Sequence, residues 1–128
     1  MFFRAWLGVG VGPDFSMVDS VQKAEERYAQ GQLERMLLLP AEFGGGDFDQ
    51  NVVYVPVGFT AAKAEIDNNV ISLLIQEGKV QAYSAVPEYE GASFVPIAIQ
   101  ISAWHPDSPE TSTVAGTLAA WGSALERG

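Results

Sequence analysis

Short apolar runs separated by turn-forming residues dominate the first half of this chain of 128 residues. Two of them, residues 36–39 and 52–57, are too short for helices and are bounded by proline, glycine, aspartate or asparagine, which predicts strands. The second run is rich in valine, and β-branched side chains suit a pleated, half-buried surface. We expect these two strands to form the centre of the core, joined by a glycine-rich acidic loop over residues 40–50.

Two further strands are predicted over residues 80–89 and 94–103, connected by a short turn at residues 90–93. On the last strand, apolar side chains alternate with smaller or polar ones, which predicts a core face opposite a wetter face: Val95, Ile97, Ile99 and Ile101. Proline has no amide hydrogen to donate to a sheet. Prolines within the predicted strands therefore favour edge or bulged strands: Pro56, Pro87 and Pro96.

A first helix is predicted between Ser16, which can cap its start, and Gly31, which can end it. Its apolar face would consist of residues at spacings of four, three and four: Met17, Val21, Ala24 and Tyr28. Charged residues lie mostly off that face. This pattern predicts a helix packed on the body through one side.

The second helix, over residues 60–77, is the clearest periodic pattern in the chain. One apolar stripe follows the i, i+4, i+7, i+8 rule: Ile66, Val70, Leu73 and Leu74. Ala64, Ile71 and Ile75 form an adjoining stripe, whereas a helix lying on one sheet needs only one. The second stripe indicates either burial on two sides or an oligomer interface that includes Ile71 and Ile75.

The ends of the chain complete a single predicted domain over residues 1–128. Residues 1–15 are apolar and broken by glycine, so we expect an N-terminal anchor or arm. Residues 105–113 are expected to be a linker to a C-terminal helix that starts at Thr113 and ends near Leu125. The predicted fold class is α+β, a mainly antiparallel four-stranded sheet with helices packed on it, in the order α-β-β-α-β-β-α.

The net charge of the chain limits the classes of molecule that it can be expected to bind. The chain has 16 acidic and 7 basic residues and a net charge of −9. Such a chain repels phosphate backbones and anionic lipids, so we expect no nucleic acid and no membrane, and a basic protein is the natural complement. Only 18% of the residues are charged and 48% are apolar, so we expect some apolar surface to meet a partner, a second copy in a homodimer included.

The chain has no cysteine, which removes disulfides, thiolate nucleophiles and zinc–sulfur sites together. No apolar run approaches the roughly 20 residues that span a bilayer. The first residues are too short an apolar run for a secretory leader and carry no small-residue cleavage site. We therefore expect a cytoplasmic protein.

Candidate chemistry is sparse. His105, the single histidine, precedes a proline in a predicted loop, and we interpret it as a loop residue. Glu42, Asp47 and Asp49 offer oxygen ligands of the kind that calcium and magnesium prefer, but their spacing does not match an EF-hand loop. We interpret these carboxylates as solvated, and we expect no catalytic residue, no metal and no cofactor.

A second acidic group, Glu88 and Glu90, flanks Tyr89 beside the second predicted turn. If the two strand connections meet in space, their carboxylates would form either a paired acid–base site or an acidic patch for a basic partner. No histidine, cysteine, lysine or arginine lies beside them in sequence to act as an electrophile or charge clamp. We therefore favour the patch.

Three segments, residues 39–45, 51–56 and 87–96, resemble parts of small uncharacterised bacterial proteins. Some of those proteins are thought to sit beside toxin genes as immunity-type proteins. The resemblance extends over residues 39–103 and carries no catalytic residue. It implies a binding role rather than a reaction.

Our first hypothesis is a non-enzymatic protein-binding module, immunity-like or antitoxin-like, that uses an acidic and aromatic loop surface. The residues expected to bind the partner are Glu42, Phe43, Asp47, Phe48, Asp49, Glu88, Tyr89 and Glu90. One alternative is a metal-dependent enzyme that uses the same carboxylates. The other is a structural homo-oligomer built through the second helix.

Overall fold

A computed structural model describes residues 14–127 of the chain. The first strand pair consists of β1 (Leu33–Leu37) and β2 (Val52–Pro56). They pair antiparallel, with Met36 opposite Val53. The prediction of two strands around a long acidic loop is confirmed, although β1 begins three residues earlier than expected.

A second sheet has three antiparallel strands: β3 (Ala82–Glu88), β4 (Ala98–Trp104) and β5 (Val114–Ala119). Strand β4 lies in the middle, so β3 and β5 are the two edges of this sheet. The residues just before β4, which the sequence predicted as strand, lie outside the ladder. There the Ser93 hydroxyl donates to the Phe15 carbonyl oxygen at 2.8 Å and accepts from the Val95 amide, so this segment is held by side-chain hydrogen bonds.

The two sheets share one apolar core. Met36, Val53 and Val55 of the first sheet pack in the same buried cluster as Ile99 and Ile101 of β4. The α+β class is confirmed, but the prediction of a single four-stranded sheet is wrong. The two predicted hairpins do not join edge to edge; they bury apolar faces against each other instead.

Helix α1 (Val21–Ala29) starts later than predicted. Ser20, not Ser16, is the N-cap, and its hydroxyl accepts a hydrogen bond from the Lys23 amide at 3.1 Å. The residues before it cannot join the helix because Phe15 and Val18 are both buried in the core, Phe15 edge-on against Trp121 at 5.8 Å. Burial of these two side chains therefore overrides the local capping preference of Ser16.

The second helix is continuous but not uniform. It consists of α2 (Phe59–Ile66), a π-helical turn (Asp67–Ile71) and α3 (Ser72–Gln76). Gly58 at its start has a positive φ of 94° and no capping side chain. The cap comes instead from β1, where the Glu34 carboxylate accepts hydrogen bonds from the amides of Gly58 at 3.0 Å and Thr60 at 3.1 Å.

The inward face of this helix differs from the predicted stripe. The buried residues recur at intervals of four: Phe59, Lys63, Asp67 and Ile71. Val70 and Leu73, predicted to face the core, are exposed. A spacing of four drifts around a regular α-helix of 3.6 residues per turn, and the wider π turn compensates for that drift.

The predicted oligomer interface requires a correction. Ile71 is only 2% exposed and packs with Val80 and Ala103 inside the chain, so its side chain is not available to a partner. Ile75 is exposed, and its role at an interface stays a prediction. At Ile71, the adjoining stripe of the second helix is therefore buried within the chain, which was the alternative to an oligomer interface.

The C-terminal region also differs from prediction. Residues 105–113 contain a short helix, α4 (Pro109–Ser112), and the chain then forms strand β5 rather than the expected helix. Helix α5 (Ser123–Arg127) is confined to the end. Val114 and Thr117 are β-branched and Gly116 is a poor helix former, so pairing with β4 overrides the alanine content of this segment.

No helix formed by residues 14–127 combines the length and apolar character needed to cross a bilayer. The predicted N-terminal arm over residues 1–15 lies almost entirely outside the described residues. Only its end is described, where Phe15 packs in the core.

Candidate functional site

The acidic loop, defined here as residues 40–51, is built around one buried amide. The Asn51 side chain accepts a hydrogen bond from the Leu39 amide at 2.8 Å and donates to the carbonyl oxygens of Leu39 at 3.0 Å and Gly46 at 2.9 Å. Asn51 is itself buried. A single side chain therefore ties the two ends of the loop to its middle.

Glycine is required at one point of this loop. A Cβ atom on Gly45 would lie 1.8 Å from the carbonyl oxygen of Leu39, far inside contact distance. The Gly45 amide also donates to the Pro40 carbonyl oxygen at 2.9 Å. Glycine at this position thus permits a close backbone approach that fixes the loop.

Asp47 is anchored by a cation from the adjacent strand. Arg35 of β1 donates two hydrogen bonds to its carboxylate, at 2.7 and 2.9 Å. This bidentate pair of hydrogen bonds holds the pKa of Asp47 below its ordinary value, although partial desolvation of the carboxylate acts in the opposite direction. Asp47 is therefore a charged residue that the loop uses partly for its own structure.

The aromatic residues of the loop have different environments. Phe43 packs edge-on against Tyr83 of β3, with ring centroids 5.2 Å apart, and is half-buried. Phe48 is 53% exposed, between the exposed carboxylates Asp47 and Asp49. Of the two aromatic side chains predicted to bind from this loop, Phe48 is the one presented to solvent.

The second predicted group, Glu88, Tyr89 and Glu90, lies elsewhere. Phe43 contacts β3 at Tyr83, five positions before Glu88, and a strand rises about 3.3 Å per residue, so Phe43 and Glu88 are separated by roughly 16 Å. Glu42 and Phe43 therefore lie near the start of β3 and the second group lies at its end, so Glu42 does not form a paired acid–base site with Glu88.

Within this second group, Glu90 has a structural role. Its carboxylate accepts hydrogen bonds from the Ser123 hydroxyl at 2.5 Å and the Ser123 amide at 3.3 Å, at the start of α5. Glu88 accepts from the Gln100 side chain at 3.5 Å. Tyr89 is about half exposed, and partial burial raises the pKa of its hydroxyl.

A polar cluster that the sequence did not reveal lies under the second helix. The ammonium of Lys63 is 2.6 Å from a carboxylate oxygen of Asp67 and donates to the Tyr83 hydroxyl at 2.9 Å. That hydroxyl donates to the other Asp67 oxygen at 2.8 Å. Lys63 is 2% exposed and Asp67 is 3% exposed, so the ion pair is removed from water.

The chemistry of this cluster favours a structural role. Burial, followed by the hydrogen bond to and the negative charge of Asp67, raises the pKa of the Tyr83 hydroxyl far above its ordinary value. Tyr83 therefore stays protonated and cannot act as a base. Lys63 and Asp67 neutralise each other, and each side chain is bonded to the other two.

Two cavities adjoin this cluster. Lys63, Asp67 and Glu42 line one of about 300 Å³, and Glu42, Phe43 and Tyr83 line another of about 450 Å³. The cluster thus forms a wall beneath the acidic loop. The only sign of this cluster in the sequence is a lysine four residues before an aspartate on a predicted helix. That spacing is also typical of an ordinary surface ion pair.

His105 lines a separate cavity of about 430 Å³ together with Asp107 and Ser112. Its Nδ1 accepts a hydrogen bond from the Asp107 amide at 3.1 Å, and the Ser112 hydroxyl donates to the His105 carbonyl oxygen at 3.5 Å, not to the imidazole. The imidazole therefore does not activate this serine as a nucleophile.

Among residues 14–127, no group of three or more histidine, cysteine, aspartate or glutamate side chains is placed to hold a metal ion. Comparison of the chain with protein-family models, with curated proteins and with solved structures finds no match.

Proposed function

We propose that this protein is a non-enzymatic binding module that contacts a basic protein through the acidic loop, with Phe48 as its central anchor. The observation that carries the proposal is the exposure of Phe48 on a loop whose backbone is fixed from within by Asn51. A large aromatic side chain costs free energy when it faces water, and an interface would relieve that cost.

The fixed backbone of the loop favours binding energetically. A flexible loop loses conformational entropy when a partner orders it, whereas a loop already held by hydrogen bonds loses little. Asn51 supplies such hydrogen bonds, and Gly45 allows the backbone to lie close to the Leu39 carbonyl group. The binding free energy contributed by Phe48 would therefore not be offset by an entropy loss from ordering the loop.

The charges of the loop favour a basic partner. Glu42 and Asp49 are exposed, and neither forms an ion pair with another residue of the part of the chain that the structure describes. Carboxylates around an aromatic anchor attract a cationic surface and speed its association. The role of Glu88, Tyr89 and Glu90 would be secondary, because they lie at the far end of β3.

An immunity-like function is the concrete form of this proposal, and its support is the resemblance of residues 39–45 and 87–96 to such proteins. Inhibition of a toxin requires a tight surface rather than a reaction, which suits a rigid anchor loop. We place the module in the cytoplasm because the chain has no cysteine and so gains nothing from an oxidising compartment.

The test begins with affinity capture from a lysate of the source cell at low and high salt, followed by mass spectrometry. The expected partner is basic, stoichiometric and released as salt rises. Its dissociation constant is then measured for the wild type and for Phe48→Ala, which should weaken binding at least about tenfold. Phe94→Ala is the matched control, because Phe94 is 47% exposed and lies outside the loop.

Charge is tested separately. The double variant Glu42→Lys and Asp49→Lys should slow association, whereas Glu25→Lys with Glu65→Lys changes the net charge equally at exposed positions on the helices. If both double variants slowed association equally, the charges of the loop would contribute only nonspecific attraction. A partner that binds Phe48→Ala as tightly as the wild type would refute the proposal.

A further inference from the structure

The two edges of the three-stranded sheet are protected to different degrees. Strand β3 contains Pro87 and Glu88, a residue without an amide hydrogen and a charge, both of which discourage pairing with another strand. Strand β5 has the sequence VAGTLA, with neither charge nor proline, and its first four residues are exposed. An exposed, uncharged edge strand of this kind is a template for a further strand.

The hydrogen-bonding groups of β5 that face outward can be assigned. The Ala120 amide donates to the Ile97 carbonyl oxygen of the neighbouring chain segment at 2.7 Å. In an antiparallel ladder, bonding alternates from residue to residue. Leu118, Gly116 and Val114 therefore direct their backbone groups toward β4, and the other residues of the strand direct theirs outward: Ala115, Thr117 and Ala119.

The same edge contains a gap on its core-facing side. Gly116 lies opposite Ile101, and a Cβ built on Gly116 would have no atom within 4 Å. The gap is continuous with an apolar groove of about 160 Å³ between β5 and the second helix, lined by Val70, Ile101 and Leu118 among others. The groove offers open apolar space to a side chain from outside.

We propose that β5 pairs antiparallel with β5 of a second copy of the chain, about a two-fold axis at Thr117. Thr117 then pairs with Thr117, and Ala115 with Ala119, so that all outward backbone groups of the strand are satisfied. In this register Leu118 of each copy lies opposite Gly116 of the other. The Leu118 side chain of each copy, which also packs against its own core, then borders the gap of its partner.

Charge favours a second copy over the basic partner proposed above. Residues 111–125 carry no charged side chain, although the chain has a net charge of −9. A basic protein would find no carboxylate on β5, whereas two acidic chains can approach most closely where each is neutral. The strand is also self-complementary, since it contains both the gap at Gly116 and the side chain of Leu118.

A single engineered cysteine tests the register, because the chain has none of its own. In a hydrogen-bonded antiparallel pair the Cα atoms lie about 5.5 Å apart, within the range of about 4.4–6.8 Å that a disulfide spans. Thr117→Cys should therefore form a covalent dimer of twice the 13.8 kDa chain mass on mild oxidation. Ala115→Cys is the matched control, since its two copies would be offset by about 13 Å along the strands.

Sedimentation equilibrium of the full chain tests the dimer itself. The wild type should sediment as a concentration-dependent dimer, and Ala115→Lys should weaken association at least about tenfold by placing a charge at the paired edge. Ala61→Lys, at an exposed position on α2, should leave association unchanged. Circular dichroism confirms that both variants remain folded.

A monomer at all concentrations would overturn the proposal, as would equal cross-linking at positions 115 and 117 or a dimer that tolerates Ala115→Lys. Hydrogen exchange adds a pattern that pairing at another surface would not produce. The amides of Ala115, Thr117 and Ala119 should be protected only at dimer-forming concentrations, whereas those of Gly116 and Leu118 should be protected at all concentrations.

Discussion

Two buried polar groups stabilise neighbouring parts of this molecule in different ways. Under the acidic loop, the neutral amide of Asn51 bonds only to backbone groups of residues within twelve positions of it. Under the second helix, a charged pair, Lys63 and Asp67, bonds to Tyr83 on a strand sixteen to twenty positions away. One group shapes a loop locally, and the other attaches a helix to a sheet.

The two groups contribute differently to stability and to structural specificity. A neutral amide that satisfies backbone groups has a modest desolvation cost, so its hydrogen bonds stabilise the loop directly. A buried ion pair has a large desolvation cost that its own attraction only partly offsets. We infer that the Asn51 group mainly stabilises, whereas the Lys63 group mainly ensures that the helix docks in one register.

The largest effect is expected from breaking the charged cluster on one side. Lys63→Met leaves the Asp67 carboxylate buried without its cation and should lower the free energy of unfolding by about 3–5 kcal/mol. Urea denaturation followed by circular dichroism measures the change. The triple variant Lys63→Met, Asp67→Leu and Tyr83→Phe should recover most of the loss, because no buried polar group then lacks a partner.

If the triple variant were as unstable as Lys63→Met alone, the loss of stability would come from altered packing rather than from an unpaired buried charge. The proposed difference between the Lys63 group and the Asn51 group would then not hold.

A smaller effect is expected at the neutral group. Asn51→Ala leaves the Leu39 amide and two carbonyl oxygens without their partner and should lower the free energy of unfolding by about 1–3 kcal/mol. Hydrogen exchange should show faster exchange at Leu39 and little change in the second helix. Acceleration spread evenly over the whole chain would mean that Asn51 supports more than the loop.

The smallest effect is expected at Glu34, which is charged but only partly buried. Partial burial opposes its ionisation, but the hydrogen bonds from Gly58 and Thr60 outweigh that effect and hold the pKa of its carboxyl below the ordinary value. Glu34→Gln should lower the free energy of unfolding at pH 7 by about 0.5–1 kcal/mol through loss of charge at the helix N-terminus.

The stabilisation by Glu34 should also depend on pH in a definite direction. The unfolded chain takes up the proton first as pH falls, so the stabilisation by Glu34 is complete above its ordinary pKa near 4.3 and is lost as pH falls through the lower folded value. Stability curves of the wild type and Glu34→Gln should therefore converge in acid. A constant difference at every pH would show that shape, not charge, matters at this position.

The sequence predicted the parts of the fold that depend on local apolar patterns. The paired strands around the acidic loop and the existence of the second helix followed from periodicity and bounding residues. The inward face of that helix did not, because Lys63 and Asp67 occupy core positions through partners that are distant in sequence. Strand β5 was missed because its alanines favour a helix and only the ladder with β4 overrides them.

For the candidate site, the sequence identified the acidic loop and its residues but not their arrangement. It could not reveal that Phe43 packs inward on Tyr83 while Phe48 faces solvent, since both are phenylalanines in the same loop. It also could not separate the two acidic groups, because their distance depends on which strand the loop rests against.

The π turn of the second helix makes the length of that helix adjustable at one place. A residue inserted into or deleted from a regular helix rotates everything beyond it by about 100°. The turn from Asp67 to Ile71 holds one residue more than an α-helical turn, and Asn68 and Asn69 within it are exposed. We expect deletion of either asparagine to convert the turn to α-helix and to leave Ile71 facing the core. This segment is therefore where we expect the helix to tolerate a change in length without losing its docked face.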